Sequence, residues 1–290
     1  MPTRVPGRLA GLAGLTSRTG LAGLVDLALP RCCACCGRSA QRPVCPDCTE
    51  LIELQVSPVT QPVAAGGTGW SPLLVAAAAP YEDAVRDLIL QFKERGRTGA
   101  RRLLGVLLAE AVTAALLAEP AEPAEPAEPA EPAEPARPSR PARPARPAGR
   151  IGAGTRVWLV PVPPSPGRRS GGRDPVREVA LGASAALRGS GRPARVLPVL
   201  RCARPVADQA GLSEQARAAN VERAFACRPV GAAAWSGQVV LVDDVVTTGA
   251  TLAEAARALR DGGGVALSGA AVVAATRRLR PRGPAVTLWL

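Results

Sequence analysis

The segment from Val239 to Leu252 constrains the fold more than any other, because an apolar run meets two acids and then a Thr/Gly-rich turn. Val239 to Val242 is short, β-branched and without polar alternation, which is typical of a strand buried on both faces of a parallel sheet. The turn leads into a helix predicted over Leu252 to Arg260. In such sheets ligands bind beyond the carboxyl ends of the strands. The segment therefore predicts an α/β fold with a ligand site at this turn.

The residues after this strand suit a molecule with hydroxyls at one end and a phosphate at the other. Asp243 and Asp244 can accept hydrogen bonds from vicinal hydroxyls. A phosphate fits at the start of a helix, where main-chain N–H groups lack partners and the helix dipole favours anions. The predicted phosphate loop consists of Thr247, Thr248, Gly249, Ala250 and Thr251. The alternative is an ordinary strand, turn and helix with an aspartate cap.

Composition narrows the chemistry that the chain can perform. Its formal charge of +12 comes almost entirely from arginine, because Lys93 is the single lysine and histidine is absent. A metal site must therefore use Cys and carboxylates, and a general base must be Asp, Glu, Lys93 or the substrate. With two Phe, one Tyr and four Trp, the chain has little material for stacking single-stranded nucleic acid. We attribute the basic excess to biased genome composition rather than to nucleic-acid binding.

The sequence predicts a cytoplasmic protein without a membrane anchor. No apolar run reaches the roughly 18 residues that a membrane span needs. The N-terminal stretch is interrupted by Arg18 and Asp26, so a short amphipathic helix over Gly20 to Leu29 is predicted instead of a secretion signal. The clustering of the cysteines also favours a reducing compartment.

Two CxxC turns near the N-terminus predict a structural Zn²⁺ site. Four thiolates at this spacing surround one tetrahedral centre, and such a site is closed and performs no chemistry. Gly37 follows the second thiolate, where the turn needs a residue without Cβ. The predicted ligands are Cys33, Cys36, Cys45 and Cys48. A register one residue earlier, through Cys32 and Cys35, stays open, and a disulfide or catalytic thiol is disfavoured without a signal or a histidine.

The chain divides into five predicted regions. They are a tail over 1–30, a zinc-ribbon module over 31–55, a helical segment over 70–118, a tether over 119–150 and the main domain over 151–290. A proline at every third position of the tether prevents helix and sheet hydrogen bonding, so it is extended or disordered. Before it we predict a loop over Gln55 to Ser71, a strand over Leu73 to Ala79, and helices over Tyr81 to Arg95 and Leu103 to Leu117.

Strands alternate with helices in the main domain, which predicts a parallel sheet. The other strands are predicted over Arg156 to Pro163, Arg195 to Cys202, Val265 to Ala274 and Val286 to Leu290, with a helix over Pro175 to Leu187. The loop from Pro163 carries Arg168, Arg169 and Arg173 among glycines, which suits a pyrophosphate group or a solvated basic loop. Lys93 is a further candidate for the site, because a compact ammonium occurs there in a chain that otherwise uses arginine.

Val239 to Leu252 resembles the motif of type I phosphoribosyltransferases that binds 5-phosphoribosyl-1-pyrophosphate (PRPP). In that motif the paired acids hold the ribose hydroxyls and the Thr/Gly loop holds the 5-phosphate. Further segments are similar to the ComF family (competence protein F, also called amidophosphoribosyltransferase-like), which joins a zinc ribbon to such a domain. They are Leu29-Pro30 with Cys33 to Gly37, Tyr81 to Lys93, Val160 to Pro163 with Arg168 and Arg169, and Leu200 to Phe225. The family's usual Arg-Gly-Phe-Asn is replaced by Gly172-Arg173-Asp174-Pro175.

The resemblance implies a type I phosphoribosyltransferase-like parallel sheet flanked by helices, and a phosphoribosyltransferase that uses Mg²⁺-PRPP and a nitrogen acceptor that the sequence does not name. The alternative is a PRPP- or nucleotide-binding module without turnover that acts through protein partners in DNA uptake or processing. A direct single-strand DNA binder ranks last, because stacking side chains are few.

Overall fold

The computed structural model describes residues 32–63, 73–118, 154–164, 173–204, 214–230 and 235–276. The predicted tail helix, the tether and the edge strand over Val286 to Leu290 lie outside these residues. The helices are α1 Pro46–Gln55, α2 Asp83–Lys93, α3 Arg101–Leu117, α4 Pro175–Gly189, α5 Glu214–Val221 and α6 Ala250–Gly263, with a 3-10 helix at Thr98–Ala100. The strands are β1 Val59–Val63, β2 Leu73–Pro80, β3 Val157–Pro161, β4 Ala194–Val196, β5 Leu200–Cys202, β6 Phe225–Cys227, β7 Gln238–Val246 and β8 Gly269–Ala275.

Six of the strands form one mostly parallel sheet in the order β1-β2-β8-β7-β3-β4. β1 pairs antiparallel with β2, and each of the other neighbouring pairs is parallel. β5 and β6 form a separate antiparallel pair. The predicted α/β class with a mostly parallel sheet is confirmed, and β7 lies inside the sheet between β8 and β3. Its carboxyl end therefore opens in the middle of the edge where ligands of parallel sheets bind.

Helices cover both faces of the sheet, which explains the continuous apolar character of β7. Val240 and Val242 lie in the hydrophobic cluster formed with α2, α3 and α4. Val239 and Leu241 lie in the cluster formed with α6 on the opposite face. Each fully buried side chain of this size contributes about 1.5 to 3 kcal/mol. No helix in the described part of the chain has both the length and the apolar character needed to cross a membrane.

The strand predicted over Val265 to Ala274 begins only at Gly269, and two other predicted elements are replaced in the structure. The single strand predicted over Arg195 to Cys202 is wrong, because β4 joins the main sheet and β5 joins the small hairpin. Pro198 lies between them and has no N–H for a ladder, which ends the pairing. The loop predicted from Gln55 contains strand β1, whose proline is tolerated at a sheet edge.

Helices α3 and α4 pack closely because glycines face each other where they cross. A Cβ added to Gly105 would lie 2.7 Å from the Cα of Gly182. Replacing Gly105 with alanine should therefore lower the free energy of unfolding by about 2 kcal/mol, because overpacking exceeds the gain in helix propensity. Gly189, in the last turn of α4, has open space around it, so Gly189→Ala is the matched control. Equal changes for the two variants in urea denaturation would contradict this packing.

Candidate functional site

Strand β7 continues through both predicted acids and ends at Val246. Neighbouring residues of a strand project to opposite faces, so Asp243 and Asp244 have different surroundings. Asp244 is 8% exposed, whereas Asp243 is half-buried. Each carboxylate accepts the N–H of the next residue at 2.8 Å, Asp243 from Asp244 and Asp244 from Val245. The two acids therefore lie at the carboxyl edge as predicted, but they are not equivalent.

Lys93 forms an ion pair with the second acid. Its Nζ contacts Asp244 Oδ2, and the two side chains are 33% and 11% exposed. Lys93 is the last residue of α2, so the helix end directs the ammonium to the sheet edge. The surrounding cleft is otherwise lined by Ile89, Phe92, Leu104, Pro175, Val179 and Val273. An ion pair among apolar groups is screened less than one in water, so Lys93 compensates the charge of Asp244.

Asp243 is the acid that remains costly to ionise. Burial raises its pKa well above the usual aspartate range, and the neighbouring carboxylate of Asp244 raises it further. Lys93 and the N–H of Asp244 act in the opposite direction but do not cancel these effects. A carboxyl group in this condition gains from a ligand that donates hydrogen bonds to it, because those bonds stabilise its charged form.

The raised pKa of Asp243 makes stability depend on pH. Folding favours the protonated acid, so its favourable contribution is complete below about pH 4 and is lost as pH rises through the higher folded-state pKa. Asp243→Asn removes this loss and keeps an oxygen for the N–H of Asp244. We expect the variant to unfold at higher urea concentration than the wild type at neutral pH. The difference should vanish near about pH 3, and a constant difference would contradict the shift.

The predicted phosphate loop joins β7 to α6 in a conformation that needs glycine. Gly249 has φ +82° and precedes the first helical residue, Ala250. A Cβ at Gly249 would lie 2.2 Å from Cγ1 of Val63, the last residue of β1. Ala250 N–H donates to Thr248 Oγ1 at 3.4 Å. Among the described residues, the N–H groups of Thr247, Thr248 and Gly249 donate to no other group.

The turn therefore fixes the direction of these N–H groups and leaves them available as hydrogen-bond donors. Thr251 also belongs to the first turn of α6, where N–H groups have no intrahelical partner. Together with the helix dipole, these donors form a favourable site for an anion beside Asp243.

The arginine loop is only partly described. Pro163 lies half-buried two residues beyond β3, whose carboxyl end is beside that of β7. Arg168 and Arg169 lie outside the described residues. Arg173 donates through Nε and Nη2 to the two oxygens of Glu178 at 3.0 and 2.9 Å, and its guanidinium lies 5.3 Å from the centre of the Phe92 ring. The structure therefore brings Arg173 to the end of α2 that carries Lys93, but it pairs the charge of Arg173 with Glu178.

Three contributors were not identified from the sequence. Val63 lies against the phosphate loop, Glu178 holds Arg173, and Tyr81 begins the segment after β2 at the same sheet edge. Burial raises the pKa of Tyr81, and Asp244 acts in the same direction. The placement of Glu178 in the first turn of α4 was the available signal for its pairing with Arg173.

The predicted cysteine ligands come together in the N-terminal module. Cys33, Cys36, Cys45 and Cys48 place their sulfur atoms within 4.8 Å of one another, so they could hold a metal ion. The Cys36 and Cys45 sulfurs are 3.8 Å apart. Tetrahedral zinc with bonds of about 2.3 Å requires sulfurs about 3.8 Å apart, so the spacing fits.

The competing register is not formed in this arrangement. Cys35 donates its thiol to the carbonyl of Ala84 at 3.5 Å, and burial raises its pKa to about 11. Cys32 is exposed and pairs through a β-bridge with Ser39. Neither residue belongs to the group of four, although the Cys35 thiol also lies within hydrogen-bond reach of Cys48.

The cluster is partly prepared to bind a cation. The Arg38 guanidinium donates to Cys36 and lowers its pKa to about 6. Burial acts to raise the pKa of Cys33, but N–H groups from Cys45 and neighbouring residues outweigh it and lower the pKa. Burial raises the pKa of Cys48, so a metal must displace its proton.

The described residues thus place an acid, an ion pair and a turn with unpaired N–H groups at one sheet edge, and a four-cysteine cluster packs against α2. No protein-family model matches this chain, and no curated protein matches it. The chemistry of the site must be inferred from its own residues.

Proposed function

We propose that this chain is a ComF-type phosphoribosyltransferase that binds PRPP with Mg²⁺ and transfers its phosphoribosyl group to a nitrogen acceptor. In this reaction the bond from C1 to the pyrophosphate oxygen breaks, and pyrophosphate leaves with the electron pair. A bond from the acceptor nitrogen to C1 forms, and the acceptor's proton is lost to solvent. The protein's own contribution is positioning and charge stabilisation.

The proposal depends on one observation: Asp243 and the loop from Thr247 to Thr251 lie at the same end of β7. The half-buried carboxylate of Asp243, whose pKa is raised, would be stabilised by hydrogen bonds from ribose hydroxyls. The N–H groups of the loop that have no partner would donate hydrogen bonds to the 5-phosphate. Asp243 lies in β7, and the loop directly follows that strand. A ligand that carries vicinal hydroxyls and a phosphate on one pentose matches this order of an acid and then N–H donors.

Lys93 and Asp244 give the site its balance of charge. We propose that the pair neutralises one acid, so that the site does not repel an anionic ligand. Mg²⁺ supplies charge neutralisation on the phosphate oxygens when it is bound with PRPP. Asp243 would accept hydrogen bonds from water bound to Mg²⁺, and the ligand's oxygens would supply the direct contacts to the ion.

The pairing of Asp244 also supports the second candidate, a PRPP- or nucleotide-binding module without turnover. Asp244 forms an ion pair with Lys93, so it is less available to a ligand. A chain without histidine also has few groups able to accept a proton near neutral pH. Such a module would act through protein partners in DNA processing. Pyrophosphate release in the presence of nitrogenous bases distinguishes the two functions, because only the transferase produces it.

For the N-terminal module we propose a structural zinc ion held by the cluster of four cysteines. The sulfur spacing and the lowered pKa of Cys36 support zinc, and four protein ligands leave no open position for catalysis. A reducing cytoplasm would keep these thiols available, which is where we place the protein.

Isothermal titration with Mg²⁺-PRPP tests the proposed ligand. Asp243→Asn should weaken binding about tenfold to a hundredfold, because a hydrogen bond to a charged acceptor is lost. Asp261→Asn is the matched control, because this acid lies on α6 with its side chain 51% exposed and away from the loop. Its affinity should stay within about twofold of the wild type. Absence of wild-type binding, or equal losses for both variants, would contradict the proposed site.

A further inference from the structure

The turn from Cys33 to Cys36, which provides two of the four thiols, also forms hydrogen bonds with α2 and with the segment after it, and α2 carries Lys93. Cys35 Sγ donates to the carbonyl of Ala84 in the first turn of α2 at 3.5 Å. Beyond the other end of α2, Arg97 Nη1 donates to the carbonyl of Cys33 at 2.9 Å. Arg97 also donates its own N–H to the carbonyl of Gln91 at 3.2 Å. The turn is therefore connected to α2 near both helix ends.

Close packing leaves little freedom at this contact. A Cβ on Gly99, in the 3-10 helix after Arg97, would lie 3.0 Å from Cβ of Pro43 and 3.9 Å from Cβ of Ala34. A Cβ on Gly37 would lie 3.9 Å from Nη1 of Arg97. The segment after α2 thus lies directly against the two loops that carry the cysteines.

The last residues of α2 belong to the candidate site. Lys93 contacts Asp244, and the preceding Phe92 is 1% exposed and lies beneath Arg173. A shift of α2 along or about its axis would move both side chains. The geometry of the cysteine turn and the placement of the ammonium are therefore mechanically connected through one helix.

We propose that the four-cysteine module, with its metal bound, is a positioning element for Lys93, and that Arg97 is the positioning residue that transmits its order to α2. The proposal depends on metal binding, which is part of the proposed function, but it does not depend on PRPP. It assigns the module a role in the site at the sheet edge, besides that of holding its own segment together.

The single lysine of the chain provides the test. Acylation by an amine-reactive acetylating reagent, followed by peptide mass spectrometry, reports Lys93 separately from the N-terminal amine. In the metal-loaded protein the ion pair and partial burial should slow the reaction. Arg97→Ala should accelerate it about threefold to fivefold, the range expected when a partly exposed ion pair is lost. Removal of the metal from the wild type with a chelator should have the same effect.

Matched variants separate the explanations. Arg95→Ala removes an exposed arginine from the same turn and should leave the rate unchanged. Asp244→Asn removes the carboxylate directly and should accelerate acylation whatever the state of the metal. Arg97→Gln keeps a donor and should restore much of the protection.

Two results would overturn the inference. Acylation at the untreated wild-type rate in both Arg97→Ala and the chelated wild type would show that Lys93 is placed independently of the module. Unchanged acylation in Asp244→Asn would show that the ion pair does not protect Lys93. Metal analysis of the wild type tests the zinc site itself, and a protein without metal would refute both that site and this inference. Titration with PRPP would still test the site at the end of β7 independently.

Discussion

Gly249→Ala should weaken Mg²⁺-PRPP binding by at least about thirtyfold, which corresponds to about 2 kcal/mol. A residue with a side chain at φ +82° costs about 1 to 2 kcal/mol, and its Cβ would overlap Val63. The loop must therefore move away from β1 or adopt another backbone conformation. Either change redirects the N–H groups from Thr247 to Thr251, on which we expect the 5-phosphate to bind. Titration calorimetry measures the loss.

The same helix contains a matched control at its other end. Gly264 follows α6 with φ +60°, and a Cβ there would meet nothing within 4 Å. Gly264→Ala should cost about 1 kcal/mol of stability, because the left-handed conformation is strained, but it should leave PRPP affinity unchanged. Loss of affinity in both variants would point to general destabilisation of α6. Normal affinity in Gly249→Ala would contradict the assignment of this turn to the phosphate.

Cys33→Ser should abolish metal binding, whereas Cys32→Ser should leave it intact. Structural zinc contributes about 10 kcal/mol or more of apparent binding free energy, and the cysteine loops add only a few apolar side chains to the hydrophobic cluster that they share with α2 and α3. Loss of Cys33 should therefore also remove the cooperative unfolding of the module. Metal analysis of the purified variants and thermal unfolding with and without a chelator measure both effects.

The adjacent position makes Cys32→Ser a strict control for this prediction. Both substitutions remove a thiol at neighbouring positions, but Cys33 is buried and belongs to the group of four, whereas Cys32 is exposed and does not. Metal lost from Cys32→Ser and retained in Cys33→Ser would mean that the register is the earlier of the two predicted. Metal absent from the wild type would exclude the centre altogether.

Local patterns were sufficient to predict the elements that carry the site. The apolar β-branched run before Asp243 can be a strand only if both faces are covered, and the Thr/Gly turn before α6 follows from the need of helix amides for partners. The cysteine cluster was also predictable, because two CxxC turns bring four sulfurs together. In each case neighbours in sequence determine the geometry.

Contacts between segments that are distant in sequence could not be predicted in the same way. The spacing of the cysteines left two registers open, and the grouping of the four sulfurs in the folded chain, with Cys35 bonded to Ala84, separates them. Nothing local to Asp244 indicates that Lys93 reaches it, although the presence of one lysine in an arginine-rich chain was a signal. The approach of Val63 to Gly249 depends on an edge strand whose proline-containing sequence resembles a loop.

The different surroundings of the two acids have a functional consequence. Two adjacent aspartates suggest equal roles for Asp243 and Asp244, whereas in the structure Asp244 forms an ion pair with Lys93. If Asp243 is the principal acceptor for ribose hydroxyls, its unfavourable ionisation is a stability cost that ligand binding offsets. Functional sites often retain such costs.

A crystal structure of the protein soaked with Mg²⁺-PRPP tests the central claim most directly. We predict that the vicinal ribose hydroxyls contact the carboxylate of Asp243 and that the 5-phosphate accepts hydrogen bonds from the main chain between Thr247 and Thr251. A ligand bound elsewhere, or a phosphate that makes no contact with this turn, would contradict the account.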